Sequence, residues 1–333
     1  MSQRPAPGPR QAPGRVGATL DAFLRWREAS IIVVAILLTF YFQAVNENFL
    51  TGANLETVSQ FIAASAIIAC GEVMLLICGE IDLSVGQVFA LAPFLMHFGT
   101  EAGLPLVVAI LLALAACAVI GAINGYITVK LRVPSFVTTL GTLYMLNGFT
   151  LTLSHGSPVE TGGTEAMANF LGASPYAEIL WAFAAVAVMH YVLRQTRWGL
   201  HTIATGGNLI GAAESGINVA RIKIGNFVLT SVLGGLTGIL EAHRIGSIDP
   251  LAGGTAVMFL AVAAGVIGGT PLAGGSGTIF GALVGAIVLG VLRDGFTLQG
   301  INAYTFDMII GGAILLAMIS NIHLGRLRRS GAA

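Results

Sequence analysis

The sequence predicts an all-α polytopic membrane protein of about ten transmembrane helices, and three observations carry that prediction. Of the 333 residues, 55% are hydrophobic and only 10% charged, where a soluble domain carries roughly 25% charged residues. The apolar residues run in stretches that approach the ~20 needed to cross a bilayer. The charges sort by sign into alternate connecting segments.

Residues 1–28 are rich in Pro, Arg and Ala and read as a disordered cytoplasmic tail. The apolar run that follows is an anchor helix rather than a cleaved signal. It lacks a small-x-small site at its end, where Gln43, Asn46 and Glu47 follow. Residues 29–325 then form one transmembrane domain and 326–333 a second cytoplasmic tail. Expected spans are 30–46, 57–78, 85–98, 105–128, 134–153, 176–193, 224–243, 255–269, 277–293 and 304–322. The segments 85–98, 255–269 and 277–293 are too short for a simple crossing. They read as broken or re-entrant helices, which membranes tolerate where protein or water covers the backbone.

Orientation follows from charge. Arg25 and Arg27 precede the first span, Lys130 and Arg132 follow the fourth, Arg194, Arg197, Arg221 and Lys223 lie between the sixth and seventh, and Arg326, Arg328 and Arg329 end the chain. The alternate connections carry Glu47, Glu56, Glu101, Glu160, Glu165 and Glu178. Positive segments stay in the cytoplasm, so both termini are expected there. Arg244 and Arg293 break the pattern, with Asp249 and Asp294 as nearby candidate partners. Tyr41, Tyr144, Trp181, Tyr191 and Trp198 sit near span ends, as interfacial anchors do.

Several function classes are excluded. No basic stripe is interleaved with aromatics for nucleic acid. Cys70, Cys78 and Cys117 sit in apolar runs and read as buried thiols, and the six histidines show no metal-ligand spacing. No serine elbow is present. Gly268, Gly269, Thr270, Gly274, Gly275 and Gly277 form a glycine-rich loop, but a phosphate loop needs Gly-Lys-Ser/Thr, and no Gly-Lys occurs. No cofactor is expected in this chain, and any ATP belongs to another polypeptide.

Three segments stand out. In Gly79, Glu80, Ile81, Asp82, Leu83, Ser84, Val85 and Gly86, two carboxylates lie between long apolar runs, where an unpaired charge is costly. They either line a water-filled path or fix a broken helix. Asp82 or Ser84 as cap of a helix starting near Val85 is favoured over direct substrate contact. Gly79, Leu83 and Gly86 share the spacing of Gly268, Leu272 and Gly275, which suggests an internal pseudo-repeat. The G-x-x-x-G steps at Gly277, Gly281 and Gly285, at Gly121 and Gly125, and at Gly234 and Gly238 suit close helix packing inside one subunit. The cytoplasmic segment with Gly206, Gly207, Asn208, Ala212, Ala213, Gly216 and Asn218 fits either a short docking helix or an ordinary loop.

Together the segments resemble the permease subunits of ribose/xylose/arabinose-type sugar ABC importers. The family typically reads G-G-I-D-L-S-V-G at the first segment and G-G-T-S-L-A-G-G-x-G at the glycine-rich loop, and the middle segment looks like its coupling region. The resemblance covers residues 30–325; Glu80 stands where a second glycine is usual and Pro271 where serine is. It implies a translocation path for a monosaccharide or related polyol, a second permease subunit as a homodimer, a cytoplasmic ABC ATPase docked on residues 206–218, and an extracytoplasmic sugar-binding protein. The alternatives are a branched-chain amino-acid ABC permease and an ion-coupled secondary transporter using Glu72, Asp82 or Glu241 as a proton site. An intramembrane enzyme is disfavoured because no nucleophile or metal constellation is present.

Overall fold

The computed structural model describes residues 28–302 and then residues 305, 306, 308, 309, 311, 312 and 315. The tail before residue 28, most of the expected span 304–322 and the C-terminal tail lie outside the described residues. Nine helices answer to the other nine expected spans: α1 (Ala29–Val45), α2 (Gly52–Ile77), α3 (Val85–Glu101), α4 (Leu106–Lys130), α5 (Ser135–Ser154), α7 (Ala177–Gln195), α10 (Val219–Ile245), α11 (Thr255–Ile267) and α12 (Ile279–Leu298). Between them lie short helices: α6 (Glu165–Ala168) with a π-turn at Asn169–Ala173, α8 (Arg197–Gly207) and α9 (Leu209–Glu214). Strands β1 (Val159–Glu160) and β2 (Ser247–Ile248) pair antiparallel and tie two loops together.

Six helices are long and apolar enough to cross a membrane: α2, α4, α5, α7, α10 and α12. α12 was expected to be short; its 20 residues make it a full crossing. α3 and α11, at 17 and 13 residues, remain short. An 18-residue stretch of α2 is 83% buried where that of α4 is only 22% buried. α2 is therefore a central post, and α4 turns most of its surface outward.

The packing has an internal symmetry. α10 packs on α2, α3 and α4, while α2 packs on α10, α11 and α12; α3 packs on α4, and α11 on α12. Exchanging α2 with α10, α3 with α11 and α4 with α12 leaves this pattern intact. The two short helices meet at their starts. The Gly254 amide donates to the Gly86 carbonyl at 2.9 Å, and a Cβ on Gly86 would strike the Gly254 backbone. This pairing differs from the repeat expected from the glycine spacing. The loops 79–84 and 268–278 are not equivalent positions in the exchange. They are alike because each opens with the same helix-ending turn. Gly79 and Gly269 take positive φ, +72° and +91°, and the six-to-one and five-to-two hydrogen bonds of a Schellman end follow in both. Glu80 N donates to Leu75 O and Gly79 N to Leu76 O; Thr270 N donates to Gly265 O and Gly269 N to Val266 O. Gly79 thus matches Gly269, one residue on from Gly268.

The glycine faces are filled from within the chain. A Cβ on Gly121 or Gly125 would meet α10, on Gly234 or Gly238 would meet α3, and on Gly281 or Gly285 would meet the end of α11. Backbones at such distances replace the water-driven association that lipid does not supply. Trp198 is no free interfacial anchor: its indole donates to Asn226 Oδ1 at 2.8 Å, and its ring fills the space over Gly225.

Gly285→Leu tests this packing. The Ala264 carbonyl and Gly268 amide occupy the space a side chain would need, so α11 and α12 must separate, at or above the ~1–3 kcal/mol typical of overpacking. A clear drop in melting temperature in detergent is expected; a wild-type value would show that the two helices do not meet there.

Candidate functional site

The three sequence segments come together at one place, the end of α2. After Ile77 the chain turns at Gly79 and runs back beside the helix it has just left. Glu80 reaches Lys223 on the first turn of α10, with which it forms a mostly buried ion pair. Asp82 comes level with Glu72, close enough for their charges to interact. α3 therefore begins within the bundle rather than at its edge. The glycine where the sugar-permease pattern would have one is Glu80 here, and Lys223 is the charge that accommodates it.

Asp82 is fully buried. Its Oδ1 accepts from the Ser84 amide at 2.8 Å and from the Ser84 hydroxyl at 2.6 Å. Asn124 Nδ2 on α4 donates to Ser84 Oγ at 2.9 Å, and Thr142 on α5 donates to Asn124 Oδ1 at 2.6 Å. Ser84 stands at the N-cap of α3, but its side chain makes no cap bond. Asp82 serves instead to fix the turn before it. The chain of four side chains fastens the re-entrant segment to α4 and α5. Asp82 Oδ2 takes no part in this chain and has no hydrogen-bond partner among the described residues, and Glu72 is in the same position. Both its carboxylate oxygens are buried and lack a hydrogen-bond partner among the described residues, with the Asp82 amide near but not in bonding geometry.

The glycine-rich loop closes on the same point. Gly275 N donates to Ile77 O at 2.8 Å. Gly274 and Gly275 both have φ of +83°, and a Cβ on Gly274 would strike the Ile77 carbonyl and the Gly79 backbone. Gly206, at the end of α8, packs there too: a Cβ would strike the Ile77 carbonyl and Gly275 amide. Gly277 packs against Thr270 and Ile77. Beside this knot, the Asn226 amide on α10 reaches Met74 O at 3.2 Å and Cys78 Sγ and Thr202 Oγ1 at 3.3 Å, so α8 is fastened to α2 and α10.

Beyond Gly207 the segment is exposed. Asn208 caps α9 by accepting from Gly211 N at 2.9 Å, and Asn218 caps α10 by accepting from Arg221 N at 3.0 Å. α9 holds Ala212 against the protein and leaves Leu209, Ile210 and Ala213 outward, Ile210 at 71% exposure. Gly216 takes φ of +82° in the turn between the two helices.

At the opposite end of the bundle lies a feature the sequence motifs did not announce. A cavity of about 410 Å³ opens between α2, α3, α10, α11 and α12, lined by Gln60, Phe61, Phe89, Glu241, Arg244 and Arg293 among others. Arg244 pairs with Glu241 through both Nε and Nη2, lies 3.3 Å from Glu178, and donates to Gln60 Oε1 at 3.2 Å. The expected partner Asp249 instead accepts from the Leu251 amide. Asp294 accepts from Asn54 at 2.6 Å, and Arg293 lies over the Phe61 ring, 4.4 Å from its centre. The signal was present in the sequence, since Arg244 and Arg293 were the two cations out of place. A second cavity, of about 520 Å³, lies by Glu28, His190, Arg194 and Thr278.

The family profile described as "Branched-chain amino acid transport system / permease component" matches residues 54–318. The chain is 35% identical over 306 residues to the xylose/arabinose import permease protein XylH of Sulfolobus acidocaldarius, covering 90% of this chain and 86% of that protein. It is 36% identical over 298 residues to the ribose import permease protein RbsC of Escherichia coli K12, covering 87% and 90%. It is 32% identical over 309 residues to the autoinducer 2 import system permease protein LsrC of Photorhabdus luminescens, covering 91% of each.

Asn124→Ala should leave Ser84 Oγ without its buried donor and return the Thr142 hydroxyl to the Thr138 carbonyl alone, a loss of about 1–3 kcal/mol. Adding Thr142→Val should then cost far less than it does alone, because the two share one network. Additive losses in thermal unfolding would show that the chain of bonds does not act as a unit.

Proposed function

We propose that this chain, which belongs to the branched-chain amino acid transport system / permease component family, is the membrane subunit of an ATP-driven importer of monosaccharides. One observation carries the reading: relatives similar over nearly the full length of both chains bear the names of xylose/arabinose and ribose import permeases. The sequence adds Asp82, Leu83, Ser84, Val85 and Gly86, the form of the first motif seen in sugar permeases. Energy comes from a separate ATPase, consistent with the missing Gly-Lys pair. A second permease copy and an extracytoplasmic binding protein complete the assembly, in a cytoplasmic membrane.

The test is reconstitution with the ATPase and binding protein in vesicles. Labelled D-xylose, L-arabinose or D-ribose should enter only with ATP, and collapse of the proton gradient should not matter. The chain alone should hydrolyse no ATP. Uptake of leucine instead of pentoses would favour the amino-acid reading, and uptake driven by the proton gradient without ATP would overturn the importer.

The ATPase docks, in this reading, on α9. Its outward Leu209, Ile210 and Ala213 suit insertion into a protein groove, and the anchoring of α8 at Gly206 and Asn226 suits transmission of movement into the bundle. The charge pattern places this segment, with both termini, in the cytoplasm. Arginine at Gly216 would strain a left-handed turn, so Ile210→Asp and Ala213→Arg are the cleaner probes. On a free surface they would cost within about 0.5 kcal/mol. Normal abundance with lost uptake and lost co-purification of the ATPase is expected, and a cysteine at position 210 should label only after cells are permeabilised. Retained ATPase with full transport, or labelling from outside, would sink the assignment.

A further inference from the structure

We infer that Glu72 and Asp82 together bind one monovalent cation, a proton or an alkali-metal ion, where the re-entrant segment lies against α2. The inference stands on the fold alone and does not depend on the importer reading.

Burial and bonding come first. Glu72 and Asp82 are both 0% exposed. Glu72 sits in the buried second half of α2, and the turn at Gly79 brings Asp82 level with it. Three oxygens at this point, both of Glu72 and Oδ2 of Asp82, are buried and take no hydrogen bond from the described residues. Buried polar atoms are nearly always satisfied, and a carboxylate without a partner inside a membrane protein is costly. Two of them side by side also repel through a medium that screens poorly.

Among the described residues no side chain supplies the missing positive charge. Around Glu72, Gly71 lies against Thr230, Val73 against Gly265, and the Met74 carbonyl accepts from Asn226; all of these neighbours are uncharged. Lys223, the cation at the end of α2, is taken by Glu80. Arg244 is held by Glu241 and Glu178 at the opposite end of the bundle, and Arg293 lies over Phe61. Lys130, Arg132, Arg194, Arg197 and Arg221 are exposed. The expected span 304–322 contains no Lys, Arg or His. The charge that acts on Glu72 is that of Asp82, and it has the same sign.

The two acids share the cation unequally. Asp82 already has two donors, the Ser84 amide and hydroxyl, and lies just before the start of α3, where helix amides favour a negative charge. Glu72 has neither. The cation therefore belongs to Glu72, with Asp82 Oδ2 as its second ligand, and the pair keeps a single negative charge that Ser84 sustains. This donor set suits a small, singly charged ion. Calcium and magnesium take about six or more oxygens, and among the described residues no three His, Cys, Asp or Glu side chains gather at one point. A cation held here ties the second half of α2 to the turn from which α3 starts.

Thermal unfolding of the full chain in lipid nanodiscs tests this, at fixed pH and ionic strength, with sodium, potassium or lithium chloride exchanged for N-methyl-D-glucamine chloride. If the ion is an alkali metal, the melting temperature should rise by about 5 °C between a concentration near the dissociation constant and one a hundredfold higher. Glu72→Gln should abolish that rise. If the ion is a proton, alkali salts change nothing. Infrared spectra should then show a carboxylic-acid C=O band that Glu72→Gln removes. The wild type should also lose stability as pH rises through the range in which the proton leaves the folded pair, while Glu72→Gln, whose amide can donate to Asp82 Oδ2 without a proton, keeps its stability there. Glu72→Leu, which removes the carboxylate altogether, should match Glu72→Gln in its indifference to salt and in the missing band. A wild type indifferent to every alkali ion, with no carboxylic-acid band lost on either substitution, would overturn the inference. Equal ion sensitivity in the wild type and both variants would overturn it too, by placing the cation elsewhere.

Discussion

The hydrogen bond from the Gly275 amide to the Ile77 carbonyl is the contact on which the rest of the architecture hangs. A helix that ends inside a bundle leaves carbonyls without partners, and lipid cannot supply them. At Ile77 the missing donor comes from a loop nearly two hundred residues away in sequence, and that loop reaches it only because Gly206 and Gly274 present no side chain at the crossing. The Schellman turn at Gly79 satisfies Leu75 and Leu76 on the neighbouring turn. With the end of α2 closed in this way, the chain can double back, carry Asp82 into the interior and start α3 there. The same contact brings α8 against α2, so any force on α9 is applied beside both reversals.

The polar groups of the bundle divide between its two ends. Near the knot Asp82 holds a turn, Ser84 and Asn124 link two helices, and Asn226 holds the junction with α8, while Glu80 pairs with Lys223. At the other end the polar groups serve one another and still face open space. One end of the bundle is filled by glycine–backbone contacts, and the other encloses a polar volume.

Much of this was legible in the sequence, and the exceptions have physical causes. Apolar run length placed nine helices to within a few residues, because a span must hide its backbone whatever its neighbours do. α2 and α10 proved longer than the runs suggested, since Gly52–Glu56 and Val219–Lys223 continue as helix into polar surroundings that hydropathy reads as loop. α12 looked short because Arg293 and Asp294 interrupt its run; each has a partner in the fold, so the helix continues through them. The glycine match between 79–86 and 268–275 marked two turns of the same kind rather than the repeat. The exchange of α2, α3 and α4 with α10, α11 and α12 is read from which helices pack together.

The three motifs were found one at a time, and only folding shows that they are one site. Nothing in a linear sequence relates Gly206 to Ile77. The cavity is harder still, because it is made by residues that are each unremarkable on their own helix. Gln60 reads as a span-edge polar residue, Phe61 and Phe89 as core, and Glu241 as an isolated buried acid. What distinguishes them is that the fold brings them from α2, α3, α10 and α12 to one cavity. The glycines that let α11 and α12 cross at Gly268 and Gly281 bring two helices of this bundle together at the knot end. Residues far apart in the sequence thus account both for the packed knot and for the cavity.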